Sequence, residues 1–280
     1  MNCLLVINTL SGNSSKVRPE ELIRKYAAED DVTIKYIRTV EDDYTVDGVD
    51  KLIVCGGDGT LNNALNLCHD KQIDVYYMPV GTFNETAKGV KGSGICSLAK
   101  LGRFADRDFS YVAAAGSFTD IGQSPSARSK RRFKIFAYFS KVLAAYKVHR
   151  IEAKVECPRF TAEGTYTLVM FSNAVRCFGF RFNRLHRDNS DDLQVLLIRA
   201  PKKDNLWGRI KMFFPFFRAF FIGFNREHFG KNLLFASIPS AEVTIAETTP
   251  FCVDGERREC VGTLSLSKEA HKARVFLIKE

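Results

Sequence analysis

The residues best suited to chemistry lie between positions 55 and 63, where the chain reads Cys-Gly-Gly-Asp-Gly-Thr-Leu-Asn-Asn. Glycine permits close backbone approaches that a Cβ would block, and a helix that begins after such a loop offers unpaired N–H groups. Those groups attract phosphate, and the carboxylate of Asp58 has the oxygen chemistry that Mg²⁺ prefers. The stretch therefore indicates a phosphate-binding loop. A tight strand-to-helix connection without a ligand is the plainer alternative.

The flanking residues predict the elements that hold this loop. Leu52 to Cys55 form an apolar run, which is typical of a strand buried on both faces of a parallel sheet. Apolar residues then recur at helical spacing from Leu61 to Leu67, which predicts a helix to about Asp70. The string is neither the dinucleotide fingerprint G-x-G-x-x-G nor a Walker A loop.

Other polar loops follow strands in the same way. Strands are predicted at residues 3–7, 32–37 and 75–80, and each is followed by small hydrogen-bonding residues or glycine. A further strand is predicted from Phe109 to Ala115. Because strands and helices alternate, the N-terminal part is predicted to form a parallel sheet with ligands at the carboxyl ends of its strands.

Four short motifs resemble the diacylglycerol kinase catalytic family, which includes sphingosine and ceramide kinases and bacterial soluble lipid kinases. They are the Gly-Gly-Asp-Gly-Thr string of residues 56–60, the Asn-x-x-Ser-Gly loop of residues 8–12, the Gly-Thr-x-Asn string of residues 81–84 and Val-Asp-Gly-Glu at residues 253–256. The sequence departs from the family at Thr9, where relatives have proline, and at Glu85 and Thr86, where they have aspartate and phenylalanine. An Asn-Glu pair is a feature of NAD kinases, so NAD kinase is the rival interpretation.

The resemblance implies ATP and Mg²⁺ as cofactors and assigns roles to particular residues. Asp58, Asp120 and Asp254 are expected to hold the metal. Glu256 is the preferred catalytic base, with Asp58 and Asp254 as further catalytic residues, and the division of roles between Asp254 and Glu256 is left open. The expected nucleotide site comprises Asn8, Ser11, Gly12, Thr39, Gly56, Gly57, Gly59, Thr60, Asn62 and Thr82.

Two domains are predicted. Residues 1–118 are expected to form an α/β domain of the NAD-kinase and diacylglycerol-kinase type, with a strand at about 272–280 packing back on it. Residues 119–280 are expected to form an all-β, sandwich-like lipid-substrate domain, because residues 151–156, 164–172 and 193–199 alternate or run apolar like antiparallel strands. The acidic residues 188–192 lack the glycine found at a structural Mg²⁺ site of bacterial relatives, so a solvated turn is the expected structure there.

Composition points to a polyanionic partner, because the formal net charge is +9. Two basic aromatic segments, residues 128–150 and 207–231, are candidates for contact with an anionic membrane surface. The alternative for residues 207–231 is a helix whose aromatic face covers the second domain. No apolar run is long enough to span a bilayer and the eight cysteines are scattered, so we expect a cytoplasmic, peripherally membrane-associated protein with reduced thiols.

The expected function is that of an ATP-dependent phosphotransferase with an alcohol group as acceptor. Its acceptor would be a lipid such as diacylglycerol or a sphingoid or ceramide-like lipid. Besides NAD kinase, a catalytically inactive lipid-binding relative is the other alternative. A nucleic-acid partner is not expected, because no recognised binding module appears and the glycine string would go unexplained. The identity of the lipid and the formation of a homodimer are left open.

Overall fold

The computed structural model describes residues 1–82, 84–89, 94–117, 148–177, 180–187 and 190–279. Four α-helices lie in these ranges: α1 (Pro19–Tyr26), α2 (Asp58–Leu67), α3 (Glu85–Gly89) and α4 (Leu206–Phe216). Helix α4 continues into a π-helical turn, Phe217–Ile222. The strands are β1 (Asn2–Asn8), β2 (Asp31–Ile37), β3 (Lys51–Gly56), β4 (Asp74–Pro79), β5 (Gly94–Phe104), β6 (Arg107–Phe109), β7 (Val112–Gly116), β8 (Ile151–Cys157), β9 (Phe160–Ser172), β10 (Leu193–Arg199), β11 (His228–Phe229), β12 (Leu233–Ile238), β13 (Ser240–Val253) and β14 (Glu256–Lys279).

The N-terminal strands pair in parallel in the order β2, β1, β3, β4. Residues 52–55 of the central strand are wholly buried, because apolar clusters cover both faces of the sheet. Helix α2 packs on one face through Leu61 and Leu65, and α1 packs on the other through Leu22. The polar loops that follow β1, β3 and β4 therefore emerge at one edge of this sheet.

The last strand joins this sheet to the rest of the chain. Arg274–Leu277 of β14 pair in parallel with Asp74–Tyr77 of β4. The same strand pairs antiparallel with β13 through residues 256–267, and with β5 through residues 266–270 and 275–279. The remaining strands, among them β7 to β10 and β13, pair antiparallel. Alternate side chains of these strands, such as Val169, Phe171, Val195 and Val243, form one apolar core.

The Phe-rich segment has two different faces. Met212, Phe216 and Phe220 are buried in a cluster with the strands β9, β10 and β12, which agrees with the prediction that an aromatic face covers a sheet. Trp207 and Phe214 of α4 remain 72% and 67% exposed. The described ranges contain no helix that is both long and apolar enough to cross a bilayer.

Two sequence predictions meet different outcomes here. The prediction of one continuous strand from Phe109 to Ala115 is wrong, because Ser110 and Tyr111 separate β6 from β7. Both residues donate their N–H groups to Asp254. The domain boundary near residue 118, the metal ligand Asp120 and most of the basic segment 128–150 lie outside the described residues.

Candidate functional site

Two glycine loops touch each other at the carboxyl ends of β3 and β4. A Cβ on Gly81 would lie 2.4 Å from the Cα of Gly57 and 2.6 Å from Oδ1 of Asn84, a spacing that only glycine allows. Asn84 holds the second loop, since its amide donates to the carbonyls of Pro79 and Gly81 at 3.1 and 3.0 Å. The contact fixes the loop after β4 against the glycine string that begins α2.

The loop after β1 closes a third side of the same region. Nδ2 of Asn8 donates to Oγ1 of Thr60 at 2.8 Å. A Cβ on Gly12 would lie 2.7 Å from Oγ1 of Thr82, and the N–H of Ser11 bonds the carbonyl of Asn8 at 3.2 Å. Five of the residues assigned to the nucleotide site from sequence therefore lie together.

The start of helix α2 faces the space between these loops. Gly57 is the N-cap residue, and no side chain of the described residues caps it. The backbone N–H groups of a first helical turn have no partner within the helix, and the helix dipole favours an anion there. Behind this turn, a Cβ on Gly56 would collide with the Thr60 side chain at 2.4 Å. The turn is therefore closely packed on the inside and offers donors on the outside.

Asp58 is almost fully buried in this turn, with 8% of its surface exposed. Its two carboxylate oxygens accept the N–H groups of Glu85 and Thr86, at 3.0 and 3.2 Å, from the first turn of α3. Burial raises the pKa of the Asp58 carboxyl, while these backbone hydrogen bonds act in the opposite direction. A carboxylate has about four acceptor positions, so these hydrogen bonds orient Asp58 without filling all of them.

Asp254 enters the site from the far end of the chain, on a two-residue hairpin turn between β13 and β14. Positive φ angles of 48° at Asp254 and 102° at Gly255 match the turn type for which Asp-Gly is favoured. The carboxylate accepts bonds from the N–H groups of Ser110, Tyr111 and Val112, from the Ser110 hydroxyl and from the Asn62 amide. These five donors favour a positioning role for Asp254 over metal ligation.

Glu256 lies beside the glycine string, whereas Thr39 is placed only by its position after β2. Oε1 of Glu256 lies 3.4 Å from the position of a Cβ on Gly59, so this exposed carboxylate stands at the edge of the glycine string. Thr39 follows β2 and donates its N–H to Asp42 at 2.8 Å. The structure thus places Glu256 beside the predicted phosphate loop and Thr39 at the carboxyl end of β2, which is separated from β3 by β1.

Asn62 differs from its sequence assignment as a nucleotide contact. Its amide donates to the carbonyl of Asp108 at 2.7 Å and to Asp254 at 3.3 Å, both buried. These bonds direct the side chain toward the protein interior, because position 62 lies one turn beyond the start of the helix. Asn62 therefore links α2 to the Asp254 turn and does not line the glycine loops.

Sequence analysis did not assign two further charged residues to the site: Glu85, whose N–H bonds Asp58, and Arg176, which lies near the Glu85 side chain. The Glu85 side chain is 3% exposed, and one of its oxygens lies 3.9 Å from Nε of Arg176. Glu85 was visible as a departure from the family motif, whereas Arg176 gave no signal because it follows the distant strand β9. The acidic turn has a simpler role in its described part, where Asp191 forms an ion pair with Lys100.

The geometry fits the two groups that the resemblance implies. The space beside Gly57 suits phosphate for two reasons. A Cβ built on Gly57 would have only Gly81 within 4 Å, and the uncapped start of α2 faces this space. Asp58, Glu85 and Glu256 supply oxygen donors alone, as Mg²⁺ requires. The site can therefore bind a polyphosphate and bring carboxylates close to it.

Comparison with known proteins agrees with this geometry. Residues 2–108 match the family described as the diacylglycerol kinase catalytic domain. A diacylglycerol kinase of Staphylococcus carnosus is 24% identical over 206 residues, or 63% of this chain and 65% of that protein, so less than two thirds of the relative is spanned. A solved diacylglycerol kinase from Bacillus anthracis has a TM-score of 0.63 at 15% identity and covers 100% of this chain and 97% of its own. An NAD kinase from Archaeoglobus fulgidus, solved in complex with ATP, has a TM-score of 0.50 at 13% identity, covering 100% and 94%.

A parallel sheet with glycine loops at its strand ends and a buried carboxylate at a helix start is an arrangement suited to proteins that bind phosphates. The sequence matches narrow that class to the diacylglycerol kinase catalytic domain family, which residues 2–108 of this chain resemble. The structural likenesses, at 15% and 13% identity, show a shared fold.

Proposed function

We propose that this chain is an ATP-dependent lipid kinase that transfers the γ-phosphoryl group of ATP to a hydroxyl of a lipid, such as diacylglycerol or a sphingoid or ceramide-like lipid. In this proposal residues 1–118 form the nucleotide domain and residues 119–280 form an all-β, sandwich-like domain for the lipid. The observation that carries the proposal is the placement of Asp58. It lies in the first turn of an uncapped helix, beside two glycines whose backbones touch.

Phosphoryl transfer demands positioning and charge neutralisation more than covalent chemistry. The N–H groups at the start of α2 would bind the phosphates, and Asn8 would keep Thr60 in place through its 2.8 Å hydrogen bond. Asp58 and Glu85 would hold Mg²⁺, which supplies neutralisation of phosphate charge when bound. Glu256 would accept the proton of the lipid hydroxyl, while Asp254 fixes the turn that carries Glu256.

A lipid acceptor also requires contact with a membrane, and α4 offers a surface for it. Trp207, Ile210 and Phe214 are exposed on this helix while its other face is buried. The exposed residues Lys202, Lys203 and Lys211 lie on or next to the same helix. Aromatic side chains with adjacent cations are suited to an anionic bilayer interface. We therefore propose transient docking on the cytoplasmic membrane surface.

The test is turnover with labelled ATP and Mg²⁺ against diacylglycerol, ceramide, sphingosine, other lipid alcohols and NAD. We expect label in an organic-extractable lipid. Asp58→Asn should reduce the rate at least about a hundredfold, because losing a charge-positioning group costs several kcal/mol of barrier. Asp70→Asn is the matched control, since this carboxylate lies just beyond the other end of α2 and is 77% exposed.

Each other outcome identifies a different function. Label in NADP would make the chain an NAD kinase, as the Asn84-Glu85 pair suggests. ATP binding without transfer to any acceptor would favour the inactive lipid-binding relative. Equal turnover by wild type and Asp58→Asn would overturn the assignment of the site.

A further inference from the structure

Strand β2 forms one edge of the sheet, and β1 is its only partner among the described residues. The two strands pair from Asp31 to Ile37 without a shift in register, and β2 contains no proline or glycine. Proteins usually protect such edges with bulges, prolines or very short strands, because unpaired backbone groups can bond a strand of another chain. These three protections are absent from β2. Its outer edge is therefore open to pairing.

The backbone groups of β2 alternate between the two sides of the strand. The N–H of Asp31 bonds the carbonyl of Met1 at 3.0 Å, which places the backbone groups of Asp31 on the side of β1. Because bonding alternates along a strand, Val32, Ile34 and Tyr36 direct their N–H and C=O groups to the open side. The side chains of Ile34 and Tyr36 are each 38% exposed. The edge thus offers three sets of backbone donors and acceptors beside exposed apolar surface.

The charged side chains of β2 have the order that pairing with a second copy requires. Asp31 and Lys35 lie on the same face of the strand, two residues before and two residues after Thr33. In the part of the chain that the structure describes, neither side chain forms an ion pair within 4 Å. Lys35 attracts Asp42 weakly, but the carboxylate of Asp42 is held mainly by two backbone N–H groups. Both charges are therefore available to a partner strand.

An antiparallel pair of β2 strands would bring these charges together. With Thr33 on the two-fold axis, Asp31 of each copy lies opposite Lys35 of the other copy, and Val32 lies opposite Ile34. Val32 and Ile34 would exchange backbone hydrogen bonds, because both direct these groups outward. Asp31 and Lys35 would form the other type of pair, in which side chains are closer, and opposite charges at such positions are stabilising.

We propose that this chain forms a homodimer in which two copies join their sheets antiparallel through β2, with Thr33 on the two-fold axis. A two-fold interface must be complementary to itself, and the order Asp31, Thr33, Lys35 meets this requirement. A strand of another protein would need the same order of charges, which a second copy always has. The contact is small, so association should be reversible.

The dimer would have one continuous sheet made from two copies of the chain. Because the two β2 strands run in opposite directions, the carboxyl ends of the parallel strands lie at opposite edges of the joined sheet. The glycine loops of the two copies are therefore far apart, and the new pairing is centred on the middle of β2. Nucleotide binding should not require dimerisation, and this proposal does not depend on the proposed kinase activity.

The experiment is sedimentation velocity of the full chain between about 1 and 100 μM, a range suited to small interfaces. We expect a shift from one chain to two as the concentration rises. Asp31→Lys and Lys35→Asp should each raise the dissociation constant at least about fourfold, because each reversal makes two attractive pairs repulsive. The double variant exchanges the two charges, so its dissociation constant should return to within about twofold of the wild type.

Two further variants test the backbone contact and the location. Ile34→Pro removes an N–H that points away from β1, so the dimer should be lost while the circular dichroism spectrum is retained. Glu152→Lys is the matched control, because Glu152 is exposed on β8, a strand that has partners on both sides. This control should dimerise like the wild type.

Three results would overturn the proposal. The first is a wild type that remains a single chain up to about 100 μM. The second is a double variant that associates as weakly as the single variants, since the two charges would then not face each other. The third is weakening by only one of Asp31→Lys and Lys35→Asp. These two variants change the net charge in opposite directions, so that result would show an effect of total charge.

Discussion

The contact between Gly57 and Gly81 can be tested by replacing each glycine in turn with alanine, which adds one methyl group. In Gly81→Ala the new Cβ would lie 2.4 Å from the Cα of Gly57 and 2.6 Å from Oδ1 of Asn84. In Gly57→Ala the new Cβ would lie 3.4 Å from the Cα of Gly81, an ordinary contact, and φ at this residue is −92°, which alanine adopts without strain. The same substitution therefore has different consequences at the two positions.

The magnitudes follow from these distances. Carbon atoms pack at about 3.5–4.0 Å, so the backbone around Gly81 must move by about 1 Å to admit a methyl group. Overpacking of this kind costs about 1–3 kcal/mol, from which about 0.4–1 kcal/mol is recovered because alanine restricts the unfolded chain. Gly81→Ala should therefore lower the free energy of unfolding by about 1–2 kcal/mol. Gly57→Ala should leave it unchanged or raise it slightly.

Nucleotide binding should separate the two variants further. The Cβ of Gly57→Ala would project into the space assigned to phosphate, so this variant should lose ATP binding while remaining stable. The assays are urea denaturation for stability and calorimetry with Mg·ATP for binding. If Gly57→Ala bound ATP as tightly as the wild type, phosphate would not lie against this glycine and the site would be assigned wrongly.

Other features of the structure give further predictions. Burial raises the pKa of Asp254 to about 6, although hydrogen bonds from Val112, Ser110 and Tyr111 lower it. This pKa of folded Asp254 exceeds that of the unfolded chain, so the contribution of Asp254 to stability is complete below about pH 4 and is lost as the pH rises through 6. Urea denaturation should therefore show the free energy of unfolding falling over that window, and Asp254→Asn should flatten the slope. At α4, Trp207→Ser and Phe214→Ser should reduce co-sedimentation with anionic liposomes at low salt without weakening ATP binding. Val40→Ser, at a residue that is 91% exposed in another part of the chain, is the control, and equal loss in all three variants would contradict a specific docking face.

The elements that sequence predicted best are those with a local cause. The apolar run of residues 52–55 is β3, because burial on both faces of a sheet selects apolar side chains at a few adjacent positions. Strand β14 was predicted near its end, at about residues 272–280. It runs from residue 256 to 279 because it takes partners from both parts of the chain, with a register shift between residues 270 and 275.

The site was less visible in the sequence where it depends on distant contacts. Asp254 was assigned to the metal network, yet its five donors come from Asn62 and from residues 110–112, more than 140 positions away. Glu85 appeared only as a departure from a motif, although its N–H orients Asp58. The two-sided character of residues 207–222 was equally hidden, because the aromatic pattern does not show which side meets the sheet.

The long final strand explains how Glu256, the proposed base, is held against the glycine string of residues 56–60. Glu256 opens β14 and Arg274–Leu277 of the same strand pair with β4, whose end carries Gly81. The strand is therefore anchored in the N-terminal parallel sheet at one end, and Asp254 fixes its other end through bonds to residues 110–112. A single strand tied at both ends determines where Glu256 lies relative to Gly59. Movement of the antiparallel strands against the parallel sheet would therefore have to bend β14 before it could separate Glu256 from the glycine string.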